Sequence, residues 1–422
     1  MNPAEVQERN AEETEGGEPQ RRAPAVSLLT GGFDKPYTYG LALALAAAGA
    51  EVEIVGSDQL DCPEFHSTPG IRFLNLRGDQ SAHAASAVKI RRVLVYYWRL
   101  VRYAASATPT IFHILWNNKF QTLDRTLLMI FYRSLGKKIV VTAHNINQAR
   151  RDGRDSGWNR LTLGIQYRLA HRLFVHTEGM KTDLCRQFAI APEKVTVIPF
   201  GINNAAPQSG LTREEARLRL GLAADDRALL FFGSIRPYKG LEYLVRAFGV
   251  LARRDRRYRL VIAGAPHFGD EAYLAEINSE IRATGRAERV MAKFEFIRDE
   301  DTEVYFKAAD LLVLPYTDIS WSGVLVLGYS FGLPAVATSV GALPEEVIAG
   351  QTGGLCPPRD AEALAKAVER CFDAGVIGAE RGVRARIRDW AEDRYSWRAV
   401  AIRMLQSHGC GALNAAGREA IR

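Results

Sequence analysis

From Ala228 to Phe232 the chain is unbroken apolar, Gly233 interrupts it, and apolar residues return at Leu241, Leu244, Val245 and Phe248. A short continuous apolar run reads as a buried strand, and the later spacing follows a helical period. The order strand, loop, helix recurs downstream. Asp310 to Pro315 (DLLVLP) predicts a second buried strand, Tyr316 to Trp321 a polar loop, and Ser322-Gly323-Val324 the start of an apolar helix ending near Gly332. Further strands are expected at Arg259–Ala263, Phe294–Phe296 and Pro334–Thr338. The first half has the same rhythm, with strands at Ala25–Leu29, Glu51–Val55, Lys138–Thr142, Leu173–His176 and Val195–Pro199 and a helix from about Tyr39 to Ala48. Between the halves, Phe200 to Gly210 has the Gly, Asn and Pro content of a linker, and Thr212 with Glu215 forms a capping-box pattern. The pattern predicts two doubly wound α/β sheets in tandem, followed by a helix over Ser396–Ser407.

The loops carry the candidate chemistry. Arg236 and Lys239 follow a strand at the end where a parallel sheet opens toward ligand. They read as a phosphate site or as ordinary solvated loop charges. A helix starting at Ser322 or Gly323 would aim free backbone N–H groups and its positive dipole end above the same sheet, so that two cations and a helix terminus converge on a diphosphate. In the first half, Gly31 and Gly32 make either a tight turn or a close backbone approach to ligand. The loop lacks both the GxGxxG and the GxxxxGK[ST] patterns, so no standard nicotinamide or nucleoside-triphosphate site is indicated. His144 follows the strand Lys138–Thr142; a lone histidine is more often structural than catalytic.

At 422 residues and 47% hydrophobic, the chain is long enough for two domains with their own cores. The net charge of +7 suits anionic ligands or surfaces. Five cysteines show no CxxC pair or regular spacing with histidines, so neither a disulfide framework nor a metal site is expected, and a reducing, cytoplasmic location is. No signal peptide or membrane-spanning run is read. Between Asp79 and Asp124 the sequence has no acidic residue but carries Lys89, Arg91, Arg92, Arg99, Arg102 and Lys119. Within that stretch, Lys89–Tyr103 interleaves cations with Val, Leu, Tyr and Trp. It reads either as a helix lying on the inner, acidic face of a membrane or as a core helix whose cations snorkel outward. No nucleic-acid module accompanies it.

The segments TGGFDKPYTY, VVTAHNIN, VTVIPFGI, FFGSIRPYKGLEYLVRAF, AADLLVLPY, SGVLVLGYSFGLPAVAT and VGALPEEV, in this order, resemble the family 4 retaining glycosyltransferases, from about Val26 to Leu405. The resemblance implies a GT-B fold, two Rossmann-like doubly wound domains facing a central cleft, with a nucleotide-sugar donor held mainly by the second domain. It implies a UDP- or GDP-linked hexose as donor and an acceptor of unknown identity, with a lipid-linked saccharide among the candidates. By the family pattern Arg236 and Lys239 grip the donor diphosphate, and Ser322, Gly323 and Val324 bind phosphate through backbone N–H groups. Gly31 and Gly32 meet the diphosphate from the other side, His144 faces the transferred sugar, and Ile297 and Arg298 meet the base. Lys35, Tyr37 and Asn145 fall on the acceptor side. Neither a cofactor nor a metal is required. Retention without an enzymic nucleophile implies front-face attack, with a donor phosphate oxygen taking the acceptor proton.

The expected boundaries are a polar tail over 1–22, an acceptor-side domain over 23–200, a linker over 201–210, a donor domain over 211–395, a helix over 396–408 packing back, and a frayed tail over 409–422. One departure from the family pattern matters. Two glutamates carried by many relatives fall here on Ser320 and Gly328; Asp318 lies near enough to replace the first, while nothing obvious replaces the second. Glu345 and Glu346 read as support for the site or, the favoured reading, as simple helix-start acids. A sugar-nucleotide epimerase or phosphorolytic enzyme on the same architecture, or a nucleotide-sugar-binding protein without catalysis, are the alternatives.

Overall fold

The computed structural model describes residues 24–81, 85–151, 153–202, 208–267, 269–373 and 381–407. The tails expected at 1–22 and 409–422 and the middle of the expected linker lie outside the described residues. The first sheet contains β1 (Ala25–Leu29), β2 (Glu51–Gly56), β3 (Ile71–Asn75), β4 (Ile111–Ile114), β5 (Lys138–Thr142), β6 (Arg172–Val175) and β7 (Val195–Val197). The second contains β8 (Arg227–Phe232), β9 (Tyr258–Ala263), β10 (Val290–Lys293), β11 (Leu311–Leu314), β12 (Ala335–Thr338) and β13 (Gly353–Cys356). Every pairing is parallel, so each connection must cross over a face, and the helices between strands cover both. That double cover explains why the central strands are apolar at nearly every position.

The strand order sets the position of the ligand site. The first sheet runs β3-β2-β1-β4-β5-β6-β7 and the second β10-β9-β8-β11-β12-β13. The order reverses at β1/β4 in one and at β8/β11 in the other, so the loops leaving those strands splay to opposite faces and open a crevice. Gly31 and Gly32 leave β1, and Arg236 and Lys239 leave β8. This is a pair of Rossmann-like α/β domains.

Several elements differ from expectation for local reasons. The strand expected at Phe294–Phe296 lies earlier, at β10, where Val290 pairs with Leu260 and Lys293 with Ala263. As an edge strand β10 is only partly buried, so its apolar contrast is low, while Phe296 is 77% exposed beyond its end. The pattern does not predict β13, because its glycines Gly353 and Gly354 carry no side chain to mark a buried face. The first helix begins at Lys35 rather than near Tyr39, because Asp34 accepts from the Tyr37 N–H at 3.2 Å and Pro36 suits the first turn. Thr212 and Glu215 make the full capping box.

The helix Trp397–Ser407, after the second sheet, packs on the first-domain helix Lys35–Ala47. Its anchor is Trp397, 6% exposed, whose Nε1 donates to the Ile202 carbonyl at 2.6 Å. The indole lies flat against Gly40 and Gly201, where any side chain would collide with it. Trp397→Ala removes a buried aromatic and a buried hydrogen bond, and the expected loss is about 3–5 kcal/mol of unfolding free energy, measured by urea denaturation.

Candidate active site

In the second domain the site is built on β8. Beyond Arg236, a single 3-10 turn (Pro237–Lys239) leads into the helix Leu241–Arg254. Lys239 is buried, its ammonium 5.6 Å from the centre of the Tyr316 ring. A Cβ added to Gly233 would lie 3.1 Å from Lys239 Nζ and 3.4 Å from Val324 Cγ2, so the β8 loop and the β11 helix start meet at this point. Arg236 is steered by Asp270, with Nε 3.6 Å from Oδ2, too long for a hydrogen bond, and its guanidinium lies 5.4 Å from the Tyr238 ring. Ser322 caps the helix Gly323–Ser330, Oγ accepting from the Leu325 N–H. The first N–H groups of that helix belong to Gly323 and Val324, beside Lys239.

The flanks are less uniform. Ile297 is buried, while Arg298 is exposed and paired with Asp301 at 3.0 Å. The Ser320 carbonyl accepts from Ala342 N–H at 3.1 Å, and Asp318 is exposed. Gly328 faces inward, where a Cβ would come within 2.8 Å of Leu312 Cδ2. The side chain missing at 328 is thus compensated by packing against β11.

In the first domain Gly31 and Gly32 have φ of +61° and +79°, a left-handed pair that glycine adopts without strain. Thr30 Oγ1 accepts from Gly32 N–H at 3.0 Å, Arg77 donates to the Gly31 carbonyl and Gln80 to the Gly32 carbonyl. Lys35 donates to the Asp61 carbonyl at 3.0 Å. Tyr37 is 1% exposed and packs edge-on against His144 at 4.6 Å, so it supports that ring from below.

His144 sits at the end of β5, 3% exposed, and stacks on Trp116 at 4.3 Å. Its Nδ1 lies 3.0 Å from His176 Nε2, and His176 Nδ1 lies 3.3 Å from the Ile198 carbonyl. A carbonyl only accepts, so His176 carries its proton on Nδ1 and offers bare Nε2. His144 Nδ1–H then donates to His176, which leaves His144 Nε2 as a lone-pair acceptor. That atom has no partner among the described residues. Burial pushes both imidazoles below their usual range, His176 to about 4, so both are neutral at pH 7. Beside them lies a cavity of 370 Å³ whose lining includes His144, Asn145, Asn117, Gln121, Arg125 and Arg154.

Trp321, Phe200 and His176 were not among the sequence-predicted site residues, and they join the half-sites. Trp321, on the loop before the second-domain helix, donates Nε1–H to the His144 carbonyl at 2.9 Å and stacks on Phe200 at 3.7 Å. Glu345 also corrects the reading of a simple helix-start acid. Its carboxylate accepts from the Glu178 and Gly179 N–H groups at 3.3 and 3.0 Å, capping the helix Glu178–Phe188 of the other domain. Glu346 accepts from Tyr395 Oη, and its burial raises its pKa. Their local signal was only a loop Trp and two acids; the Trp321 and Glu345 contacts join residues more than a hundred positions apart, and Glu346 reaches Tyr395 across 49.

The second half, residues 226–374, matches the model of the glycosyl transferases group 1, and residues 36–205 match that of glycosyltransferase family 4. The chain is 30% identical over 285 residues to a D-inositol 3-phosphate glycosyltransferase of Corynebacterium diphtheriae, covering 65% of this chain and 66% of that one. A protein of the same name from Streptomyces scabiei is 32% identical over 222 residues, 52% of this chain and 50% of its own. The matches thus span between half and two thirds of these relatives. Among solved structures, sucrose-phosphate synthase of Thermosynechococcus elongatus superimposes with a TM-score of 0.72 at 22% identity, covering 92% of this chain and 99% of that one. Anabaena Alr3699/HepE in complex with UDP-glucose gives 0.70 at 18% identity, covering 92% and 99%. These likenesses show a GT-B fold. The chain belongs to the family 4, group 1 glycosyltransferases.

The neutral histidine pair makes stability depend on pH. In the unfolded chain both imidazoles protonate near pH 6.5, whereas in the fold they resist it, so the unfolded chain gains protons first as pH falls. Their contribution is fully present above about pH 6.5 and is lost from there down to about pH 4. Unfolding free energy is expected to drop by roughly 2 kcal/mol between about pH 7.5 and about pH 5 from His176 alone, and His176→Asn should remove that part of the slope in denaturant titrations.

Proposed function

We infer that the protein transfers a hexose from a UDP- or GDP-linked donor to an acceptor with retention of anomeric configuration and without a metal. The observation that carries this reading is the meeting of Lys239 with the first turn of Gly323–Ser330 beside Gly233, with Arg236 on the same β8 loop. As the bond from the anomeric carbon to the leaving phosphate breaks, negative charge grows on the diphosphate. Cations and N–H dipoles already held in place stabilise it without reorganisation and supply the charge a metal would otherwise bring. His144 Nε2, a fixed acceptor, takes a hydrogen bond from a hydroxyl of the transferred sugar. The cavity beside it, with its carboxamides and arginines, receives the acceptor. The acceptor hydroxyl attacks the face the phosphate leaves, and a phosphate oxygen takes its proton. The Anabaena structure with UDP-glucose supports a nucleotide sugar as donor, and the relatives' names support glycosyl transfer.

No helix among the described residues is long and apolar enough to cross a membrane. Peripheral attachment to an acidic surface is proposed through the helix Ser86–Ser106. Its inner face buries Tyr96, Tyr97, Leu100 and Ala104. Its outer face exposes Ile90, Leu94, Trp98 and Val101, at spacings of four, four and three that align along one side. Arg91, Arg99 and Arg102 border that stripe.

UDP, GDP and ADP, each with and without EDTA, are compared by thermal shift; one nucleotide is expected to raise the melting temperature regardless of EDTA. Lys239→Ala should then lower kcat/KM by about a hundredfold or more with the fold intact, and an unchanged value would take Lys239 out of the mechanism. Replacing Arg91, Arg92, Arg99 and Arg102 with Gln should release the protein from phosphatidylglycerol vesicles in co-sedimentation; equal binding would refute the membrane reading.

A further inference from the structure

A second concave site lies beside the first, and the transferase reading leaves it unassigned. A groove of 590 Å³ opens along the N-terminal half of the helix Ser86–Ser106, with Arg77, Lys89, Arg92 and Lys119 on its walls. The carboxylate on those walls, Asp79, is engaged by Arg92 at 2.9 Å. Among the described residues, a further guanidinium nitrogen of Arg92 is buried without a partner. Arg77 is held between the Phe33 and Tyr96 rings, at 4.9 and 5.3 Å. The aromatic wall is braced from behind: Tyr96 Oη donates to Asn118 at 2.6 Å and Tyr97 Oη to Asp124 at 3.0 Å. Cations gathered on a braced wall repel one another and are stabilised by a bound anion.

The two ends of the groove define what the anion is attached to. At its inner end Trp116, Asn117 and Gln121 line both this groove and the 370 Å³ cavity at His144, so one ligand can occupy both. At its outer end Lys89 and Arg92 sit on the helix that exposes Ile90, Leu94 and Trp98. Along one path, therefore, come an apolar edge, a cationic channel and a polar cavity lined by carboxamides. A free sugar phosphate has no use for the first, and a neutral lipid none for the second.

We propose that this groove binds the phosphate of a lipid-linked acceptor, with the lipid chain leaving over Ile90 and Leu94 and the acceptor hydroxyl reaching the cavity beside His144. The assignment of the inner end as the reacting end rests on the transferase reading; the binding itself does not.

The probes are farnesyl phosphate, farnesol and inorganic phosphate, titrated into the full chain by isothermal calorimetry without donor. Farnesyl phosphate is expected to bind at least about tenfold more tightly than either of the others. In a Lys89→Gln, Arg92→Gln, Lys119→Gln variant that advantage should vanish, while the thermal shift with the donor nucleotide stays at the wild-type value. Equal affinity for farnesol would reduce the groove to an apolar cleft, and equal affinity for inorganic phosphate to a free-anion site; either overturns the proposal. So does a triple variant that keeps the wild-type affinity for farnesyl phosphate. Absence of any nucleotide response in the wild-type chain, with farnesyl phosphate bound as expected, would instead count against the donor site alone.

Discussion

Two imidazoles, 3.0 Å apart and nearly free of water, cannot both be charged, and the surrounding seam is arranged on that condition. The Ile198 carbonyl, just beyond β7, sets the direction of the hydrogen bonds and passes it through His176 to His144. Trp116 and Tyr37 enclose the second ring from the first domain, and Trp321 closes on its backbone from the other. Domain contact and the protonation state of the candidate site are therefore one physical fact. Protonating either ring would place a charge among aromatic faces and take away the lone pair on His144 Nε2.

The donor half uses a different device. There the charges are wanted, and they are held at a cost: Lys239 is buried beneath a glycine, and Arg236 is kept by an ion pair too long to be a hydrogen bond. Among the described residues Arg236 Nε has no hydrogen-bond partner, which suits it to an anion. The two carboxylates of many relatives are not merely substituted. At 328 the space is taken by Leu312, so a longer side chain there has no room against β11. Glu345 instead links the domains, its carboxylate lying on the N-terminus of a helix it does not belong to.

The helix Ser86–Ser106 has two unlike faces. One face packs into the first domain and the other remains apolar and outward, with the cations along the border. An apolar stripe facing water is unfavourable unless something covers it, and cations at its edge are the groups that the proposed acidic surface would meet.

The alternation of apolar runs and helical periods determined two tandem doubly wound sheets, and the loop motifs after β1, β5, β8 and β11 pointed to Gly31, His144, Arg236, Lys239 and the Ser322 cap. These were legible because each rests on residues close in sequence: a buried parallel strand is apolar throughout, and its loop follows directly. Misreadings came where local contrast fades, as at the edge strand β10 and the glycine strand β13. Only the tertiary structure decided that Tyr37 supports His144 from below, that His176 orients it, that Trp321 and Glu345 bridge the domains, and that one groove joins the basic helix to the cavity. Those contacts join residues far apart in the chain, and their energy comes from burial and hydrogen bonding that exist only once both sheets are packed.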